Sequence, residues 1–295
     1  MPDPRHRNGS GTFLVETQML RSGLIGRAIA KSRSPLLHEQ EARAQGLDLS
    51  YRLFDFDELG LADGDLANLL VRLRDEGFCG VNVTYPFKQA IIPLLDELAE
   101  SAALVGAVNT IAIRDGRLTG HNTDMEGFRD SVREGLPGAP MGRVLQLGTG
   151  GAGAAVGCAL LSLGVERLIL ADVDPARAQA LAEALEARFG AGRVAVQDSA
   201  ALSTDAVDGI VNATPMGMAA NPQSAIAPEL ILPRHWVADI VYFPLETEML
   251  RLARAKGCRV LNGSGMVIAQ AAKAFEIMTG HPADVARMRA SFAAA

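Results

Sequence analysis

The stretch RVLQLGTGGAG, residues 143–153, decides the fold of this chain. Its apolar strand pattern ends in the turn Gly148-Thr149-Gly150-Gly151-Ala152-Gly153, which has the spacing G-x-G-x-x-G and is followed by small helix-forming residues. In such a turn the first glycine makes a tight bend, the second lets a pyrophosphate approach the backbone, and the third lets helix and strand pack closely. The helix N-terminus supplies N–H groups and a positive dipole end for the phosphates. The stretch therefore predicts a dinucleotide-binding site.

The residues after the turn support this prediction and favour one cofactor. A second strand pattern, RLILAD (167–172), ends in Asp172. An acid about 20 residues beyond the glycine turn is expected to bind the adenosine ribose hydroxyls. Asp174 adds a second negative charge, and Arg177 is the nearest cation. Because carboxylates repel a 2′-phosphate, the sequence favours NAD over NADP.

Strand patterns continue through the second half of the chain, at 206–214, 235–242 and 258–263. Between them, the helical pattern 174–190 opens with Asp174 as N-cap and proline at the first helical position. Repeated β-α-β units of this kind imply a parallel sheet, and together with the glycine turn they predict a Rossmann-type unit.

The first half reads as a separate α/β unit. Its patterns are strands at 24–30, 51–56 and 80–84 and helices at 66–77 and 93–106. The glycine- and proline-rich segment 134–143 marks the passage to the second unit. The last pattern, 266–280, is a long apolar helix with no strand after it, so we expect it to pack back on the first unit.

Bulk properties exclude several classes of protein. The 295 residues carry a formal charge of -6 with no run of lysines or arginines, which argues against a nucleic-acid surface. No apolar run reaches membrane-spanning length, and three separated cysteines fit neither a disulfide framework nor a zinc site. Residues 1–20 lack the apolar core of a signal peptide. We expect a flexible leader, a cytoplasmic protein without metal or membrane contact, and either a monomer or a homodimer.

The stretch GVNVTYPFKQ (80–89) raises the question of function. Its alternating pattern stops at Pro86 and delivers a single lysine, Lys88, which taken alone indicates only a strand, a turn and a solvated amine. Other polar residues also fall at predicted strand ends, where open α/β sheets bind ligands. They are Ser32, Ser34, Asn82, Thr84, Asn109, Asn122, Thr123 and Asp124. Such hydroxyls and amides suit a polyhydroxylated substrate, and Lys88 with Asp124 forms a pair able to move a proton during hydride transfer.

Seven motifs across residues 24–292 resemble the shikimate dehydrogenase family, including its NAD-dependent quinate/shikimate dehydrogenase branch. They are SRSP (32–35), NVTYPFK (82–88), GAVNT (106–110), GHNTD (120–124), LGTGGAG (147–153), NATPMG (212–217) and GSGMVIAQAAKAF (263–275). The resemblance implies an oxidoreductase that interconverts shikimate and 3-dehydroshikimate and, as an alternative, quinate and 3-dehydroquinate. It also implies a two-domain α/β fold, with a substrate domain (21–125 plus 266–295) and an inserted dinucleotide domain (126–265).

The resemblance further implies roles at matching positions. Lys88 is implied as the catalytic acid/base with Asp124 as its partner. The residues implied for the substrate are Ser32 and Ser34 at its carboxylate and Asn82, Thr84, Asn109, Thr123 and Gln270 around its ring. Those implied for the cofactor are Gly148 to Gly153, Asp172, Arg177, Asn212, Ala213, Thr214, Tyr242, Gly265 and Met266. Tyr242 has an equal alternative as a packed tyrosine.

Two departures from the family pattern point in different directions. Many biosynthetic members carry Asn-Arg-Thr where this chain has Asp172-Val173-Asp174, and the missing arginine resembles the NAD-using branch. That branch often has threonine at the position of Ser34, whereas serine is more typical of strict shikimate enzymes. Shikimate is therefore the better supported substrate.

Two hypotheses remain for the role of Lys88 in proton transfer. In the first, Lys88 removes the proton from the C3 hydroxyl as hydride leaves C3. In the second, Lys88 stabilises the developing alkoxide and Asp124 takes the proton. The alternative functions are a related oxidoreductase acting on another hydroxylated ring acid and an NADP-dependent biosynthetic shikimate dehydrogenase. A third is a non-catalytic dinucleotide-binding regulator, although a regulator needs neither Lys88 nor Asp124.

Overall fold

The computed structural model describes residues 19–294, so most of the leader expected at 1–20 lies outside the described residues. Within that range, two six-stranded sheets follow one another along the chain. The strands of the first sheet are β1 (Leu20–Gly26), β2 (Leu49–Asp55), β3 (Gly80–Val83), β4 (Glu97–Leu98), β5 (Thr110–Arg114) and β6 (Arg117–His121). Those of the second are β7 (Arg143–Leu147), β8 (Arg167–Ala171), β9 (Val194–Val196), β10 (Gly209–Asn212), β11 (Trp236–Asp239) and β12 (Arg259–Leu261).

Nine α-helices connect and cover these sheets in the described part of the chain. They are α1 (Ser34–Ala44), α2 (Leu66–Asp75), α3 (Glu100–Val105), α4 (Thr123–Gly135), α5 (Gly151–Ser162), α6 (Pro175–Phe189), α7 (Glu248–Ala255), α8 (Ser264–Thr279) and α9 (Val285–Ala293). No helix within residues 19–294 is both long and apolar enough to span a membrane.

The second sheet confirms the parallel β-α-β prediction. Its order is β12-β11-β10-β7-β8-β9, and every pair is parallel. The N-cap prediction is also confirmed, because the Asp174 side chain accepts hydrogen bonds from the first turn of α6. Strand β9 was not predicted, since three residues at a sheet edge give too short an alternating pattern.

The first sheet mixes parallel and antiparallel strands, in the order β2-β1-β3-β5-β6-β4. The helix predicted over 93–106 is wrong in its first half. There the N–H groups of Asp96 and Ala99 donate to carbonyls of Leu118 and Gly120, so the segment pairs as the short edge strand β4, and only α3 is helical. Pairing with β6 thus overrides the local helical pattern.

The two sheets are joined by close packing of α4 on α8, and α8 also contacts β3 and β5 of the first sheet. Small residues permit this approach. A Cβ on Gly127 would lie 2.8 Å from the Met266 carbonyl oxygen, and one on Gly265 would lie 2.3 Å from Ser131 Oγ. The last long helix therefore returns to the first sheet, as the sequence predicts.

Candidate active site

The glycine turn after β7 presents bare backbone to open space. Gly148 has a φ of 92°, which favours glycine, and α5 begins directly at Gly151. A Cβ on Gly150 or Gly151 would meet no atom within 4 Å, whereas one on Gly153 would lie 2.4 Å from the Gly148 carbonyl oxygen. Gly153 therefore permits close packing within the protein. Gly150 and Gly151 leave room at a helix N-terminus, which fits a pyrophosphate.

This turn forms one wall of a cleft of about 1250 Å³. The predicted cofactor residues that line the cleft are Gly148, Gly150, Gly151, Ala152, Asp172, Arg177, Ala213, Thr214 and Tyr242. Lys31 and Arg33, which precede α1 in the first half of the chain, line it as well. The cleft thus has walls from both halves.

Asp172 ends β8 and holds a dense set of hydrogen bonds. Its Oδ2 accepts from the N–H and the hydroxyl of Thr149, both at 2.8 Å, and its Oδ1 accepts from the Asp174 N–H at 2.9 Å. Burial raises the pKa of the Asp172 carboxyl, but these donors and Arg177 together lower it below its usual value. The carboxylate is therefore ionised at neutral pH and ties the glycine turn to the strand end.

Arg177 is already engaged by two carboxylates. Its guanidinium lies 3.2 Å from Asp172 Oδ1 and 3.1 Å from Asp174 Oδ2, with 56% of the side chain exposed. These two carboxylates offset the positive potential of Arg177, so it would attract a cofactor 2′-phosphate only weakly.

The loop after β10 is organised by the buried side chain of Asn212. Its Nδ2 donates to the Met216 carbonyl and to Asp239 Oδ1, both at 2.9 Å, and its Oδ1 accepts from the N–H and hydroxyl of Thr214. Burial raises the pKa of Asp239 to about 6, partly offset by donors from Val241, Thr247 and Asn212. Asn212 thus shapes the loop that carries Ala213 and Thr214 to the cleft wall.

Several predicted cofactor residues lie behind the cleft wall. Thr149 faces Asp172, Gly153 packs on Gly148, and Asn212 supports its loop. The resemblance implies that Gly265 and Met266 lie beside the nicotinamide. Gly265 packs on α4, Met266 is buried in the core, and neither is among the residues that line the described cleft.

Lys88 and Asp124 form an ion pair in the segments that follow β3 and β6 of the first sheet. Lys88 Nζ lies 2.6 Å from Asp124 Oδ2, and the side chains are 22% and 12% exposed. Phe87 is buried against Phe56, and the Lys88 carbonyl accepts from the Val108 N–H, so the backbone at Lys88 is fixed. Asp124 lies in the first turn of α4, where the helix dipole favours a carboxylate.

A hydrogen-bonded network of amides and hydroxyls reaches this pair at Thr123, the chain neighbour of Asp124. Asn109 accepts from the Thr123 N–H at 2.8 Å through Oδ1 and donates to Thr123 Oγ1 at 3.0 Å through Nδ2. Asn82 Nδ2 donates to the Asn109 carbonyl at 3.2 Å and to Thr110 Oγ1 at 2.9 Å. Gln270 on α8 places its Oε1 3.4 Å from Thr123 Oγ1. The structure therefore brings these four predicted substrate residues together beside Asp124.

The turn before α1 connects this network to the cleft. Ser32 Oγ lies 3.1 Å from Ser34 Oγ and also accepts from the Ser34 N–H, while the flanking Lys31 and Arg33 line the cleft. Thr84 is half-buried at the end of β3, with its methyl group against Gly26. Lys88 and Asp124 are not among the cleft-lining residues, so the ion pair lies to one side of the space beside the glycine turn.

Three further residues of this region were not predicted. The Tyr51 hydroxyl donates to Asn82 Oδ1 at 2.8 Å, and Thr110 lies between Asn82 and Thr123. Arg33 stacks near Phe243 and Phe292. Tyr51 sits in a strand pattern that indicates only core packing, so no signal separates it from other core residues. Arg33 lies within the motif SRSP, and a positive charge between two hydroxyls could have indicated a site residue.

No group of three or more His, Cys, Asp or Glu side chains within residues 19–294 is placed to hold a metal ion. The three cysteines are all free thiols.

Comparison with known proteins identifies the fold and the family. The model described as the shikimate dehydrogenase substrate binding domain matches residues 24–111, and that described as the shikimate 5'-dehydrogenase C-terminal domain matches residues 263–291. The quinate/shikimate dehydrogenase (NAD(+)) of Corynebacterium efficiens is 50% identical over 92% of this chain and 96% of that protein. The chain belongs to the shikimate dehydrogenase family. The resemblance and the two-sheet α/β fold predicted from the sequence are thereby confirmed.

Other relatives within the family differ in cofactor. The shikimate dehydrogenase (NADP(+)) of Streptomyces avermitilis is 52% identical over 92% of this chain and 94% of that protein. The structure of quinate dehydrogenase from Corynebacterium glutamicum in complex with NAD superimposes with a TM-score of 0.91 at 46% identity, covering 94% of this chain and 99% of that one. The prediction of an NAD(P)-dependent shikimate or quinate dehydrogenase is confirmed at the level of the family. Identity alone does not separate the two cofactors.

Proposed function

We propose that this protein oxidises shikimate to 3-dehydroshikimate, and reduces it in the reverse direction, with NAD as cofactor. The Lys88–Asp124 ion pair carries the proposal, because it stands within a network of hydroxyl and amide groups suited to a ring polyol. When bound, the nicotinamide accepts the hydride from the ring carbon or returns it. Side chains of this protein would bind and orient the ring acid and move its hydroxyl proton.

In this proposal the ring alcohol loses its hydroxyl proton to the pair as it becomes a ketone. Either Lys88 takes the proton, or Lys88 stabilises the alkoxide and Asp124 takes it. The 2.6 Å contact between the two groups permits both routes, because Lys88 Nζ can first pass a proton to Asp124 and, once neutral, accept the hydroxyl proton. Hydrogen bonds join Asn82 to Asn109 and Asn109 to Thr123. Together with Thr84 and Gln270, these side chains would orient the ring.

Support for NAD comes from the surroundings of Asp172. Protein donors fill four positions on its carboxylate, which has about four acceptor sites. The Arg177–Asp172 contact is exposed, so replacing it with hydrogen bonds from the adenosine ribose hydroxyls would cost little free energy. Arg177 would then remain paired with Asp174, and a 2′-phosphate at this position would face the carboxylates of Asp172 and Asp174.

The proposal divides the chain into a substrate part (21–125 and 266–295) and a dinucleotide part (126–265). The boundaries fall within α4 and α8, whose packing joins the two sheets. All proposed site residues come from one chain, so a monomer or a homodimer could act. The free thiols are in keeping with action in the reducing cytoplasm.

An assay of four combinations tests the proposal. Purified protein is given shikimate or quinate with NAD or NADP, and reduced cofactor is followed by absorbance. We expect the highest kcat/KM with shikimate and NAD, some activity with quinate, and loss of both in Lys88→Ala. No turnover of either acid would contradict the function. Equal or better use of NADP would contradict the cofactor assignment alone.

A second candidate is oxidoreduction of a different polyol. The 5-ketofructose reductase of Gluconobacter sp. strain CHM43 superimposes with a TM-score of 0.83 at 29% identity, covering 94% of this chain and 99% of that one. Adding fructose-like ketones to the same assay distinguishes the two candidates.

A further inference from the structure

Tyr51 lies beneath the proposed ring-acid site without a role in the chemistry described so far. It stands on β2 with 5% of its surface exposed, and its hydroxyl donates to Asn82 Oδ1 at 2.8 Å. A buried phenol of this kind usually has a hydrogen-bond partner, so the contact itself is ordinary. The partner gives the contact its interest, because Asn82 is one of the residues proposed to bind the substrate.

The hydroxyl of Tyr51 supports the observed orientation of the Asn82 amide. Asn82 Oδ1 can only accept, and the tyrosine proton is directed at it, whereas Asn82 Nδ2 donates to the Asn109 carbonyl and to Thr110 Oγ1. A reversed amide would set its oxygen against the Asn109 carbonyl, and the Tyr51 hydroxyl completes the observed orientation by donating to Oδ1. Tyr51 therefore anchors the Asn82 amide in this orientation.

The ring of Tyr51 is held by the helix that carries Ser34. His38 stacks on it with ring centroids 4.7 Å apart, and Phe275 of α8 packs against His38. Ser34 and His38 are four residues apart on α1, hence on one face of that helix. Stacking of His38 thus sets Ser34 near the Tyr51 hydroxyl. Burial raises the pKa of the Tyr51 phenol, and the Ser34 side chain partly offsets this.

The neighbouring imidazole carries no charge that would disturb this arrangement. Burial lowers the pKa of His38 to about 3, so its ring is neutral at physiological pH. It therefore acts as a flat packing partner.

We propose that Tyr51 is a positioning residue for the ring-acid site, which orients the Asn82 amide through its hydroxyl and sets Ser34 through its ring. This inference rests on the proposed function, because the ring acid is the ligand that Ser34 and Asn82 would contact. It assigns no proton transfer to Tyr51.

Tyr51→Phe tests the inference, because it keeps the stacked ring and removes only the hydroxyl. The buried Asn82 oxygen then lacks its donor, so we expect KM for shikimate to rise on the order of tenfold. The KM for NAD should stay unchanged and kcat should change less. Tyr85→Phe is the matched control, since it removes a phenol hydroxyl from a side chain that is 76% exposed. Thermal unfolding of both variants is measured in parallel.

A double-mutant cycle with Asn82→Ala tests the route of the effect. If Tyr51 acts through Asn82, Tyr51→Phe should raise KM much less in the Asn82→Ala background than in the wild type. Additive effects would overturn the inference. It would also be overturned if Tyr51→Phe matched Tyr85→Phe in KM for shikimate, or if it lowered only the unfolding temperature. A wild-type protein that neither binds nor oxidises shikimate or quinate would remove the proposed function and this inference together.

Discussion

On the dinucleotide side of the cleft, the turn from Gly148 to Gly153 presents backbone N–H groups and empty space, and a single carboxylate, Asp172, secures it. On the ring-acid side, the candidate site consists of side chains whose amides and hydroxyls hydrogen-bond to one another. One region exposes main-chain groups set by local geometry. The other is built from side chains set by long-range contacts.

This difference predicts two kinds of sensitivity. In the glycine turn, each position has a separate task, so substitutions should affect either the fold or cofactor binding. In the ring-acid network, each group orients the next, so one change should reach several neighbours. The following predictions test that contrast, from the largest expected effect to the smallest.

The largest effect is expected from Lys88→Ala. A positioned acid/base typically contributes about 10²–10⁴-fold, so kcat should fall by that order while KM for shikimate changes less. Lys273→Ala is the control, because that lysine forms an exposed pair with Glu276 on α8. Steady-state kinetics of both variants provide the measurement. Full activity in Lys88→Ala would remove Lys88 from the chemistry.

The second prediction separates two glycines of one turn. A methyl group on Gly150 meets no protein atom within 4 Å, so Gly150→Ala should fold normally. It should raise KM for NAD by about tenfold or more, because the methyl group occupies the space of the pyrophosphate. A methyl group on Gly153 would lie 2.4 Å from the Gly148 carbonyl oxygen, so Gly153→Ala should lower the free energy of unfolding by about 1–3 kcal/mol. Equal loss of stability in the two variants would contradict the assignment of separate tasks.

The same contrast explains what the sequence could predict. The tasks of Gly148, Gly150 and Gly153 depend on neighbours within one turn, so the motif alone indicates them. The contact of Tyr51 with Asn82 joins β2 to β3 and has no local pattern. The burial of Met266 has no local pattern for a related reason, because packing of α8 on α4 decides which face of α8 is buried. The motifs predict which side chains belong to the ring-acid site. Which of these side chains hydrogen-bond to each other depends on tertiary contacts, which the motifs do not contain.

The third prediction concerns the cofactor preference. In Asp172→Asn, an acceptor for the ribose hydroxyls and a charge that repels a 2′-phosphate are both weakened. We expect the ratio of kcat/KM for NAD to that for NADP to fall by about tenfold. Glu183→Gln, an exposed position on α6, controls for the change in net charge. If both variants shift the ratio equally, long-range charge rather than the Asp172 contact sets the preference.

The smallest effect is expected at the other end of the ring-acid side, where Glu41 of α1 is buried against Arg287 of α9. Burial raises the pKa of the Glu41 carboxyl, but Arg287, the Asp284 N–H and the Gln45 amide together lower it to about 2 from its ordinary 4.5. Because the folded-state pKa is depressed, the stabilisation is present above about pH 4.5 and is lost as the pH falls toward 2.

Glu41→Gln should therefore lower the free energy of unfolding at pH 7 by about 1 kcal/mol, since glutamine still accepts a hydrogen bond but carries no charge. The difference from the wild type should shrink at pH 3, as measured by denaturant titration at both pH values. Glu134→Gln is the matched control, because its pair with Arg289 also reaches α9 but is exposed and should contribute little. An equal loss at both pH values would mean that packing, not charge, ties α1 to α9.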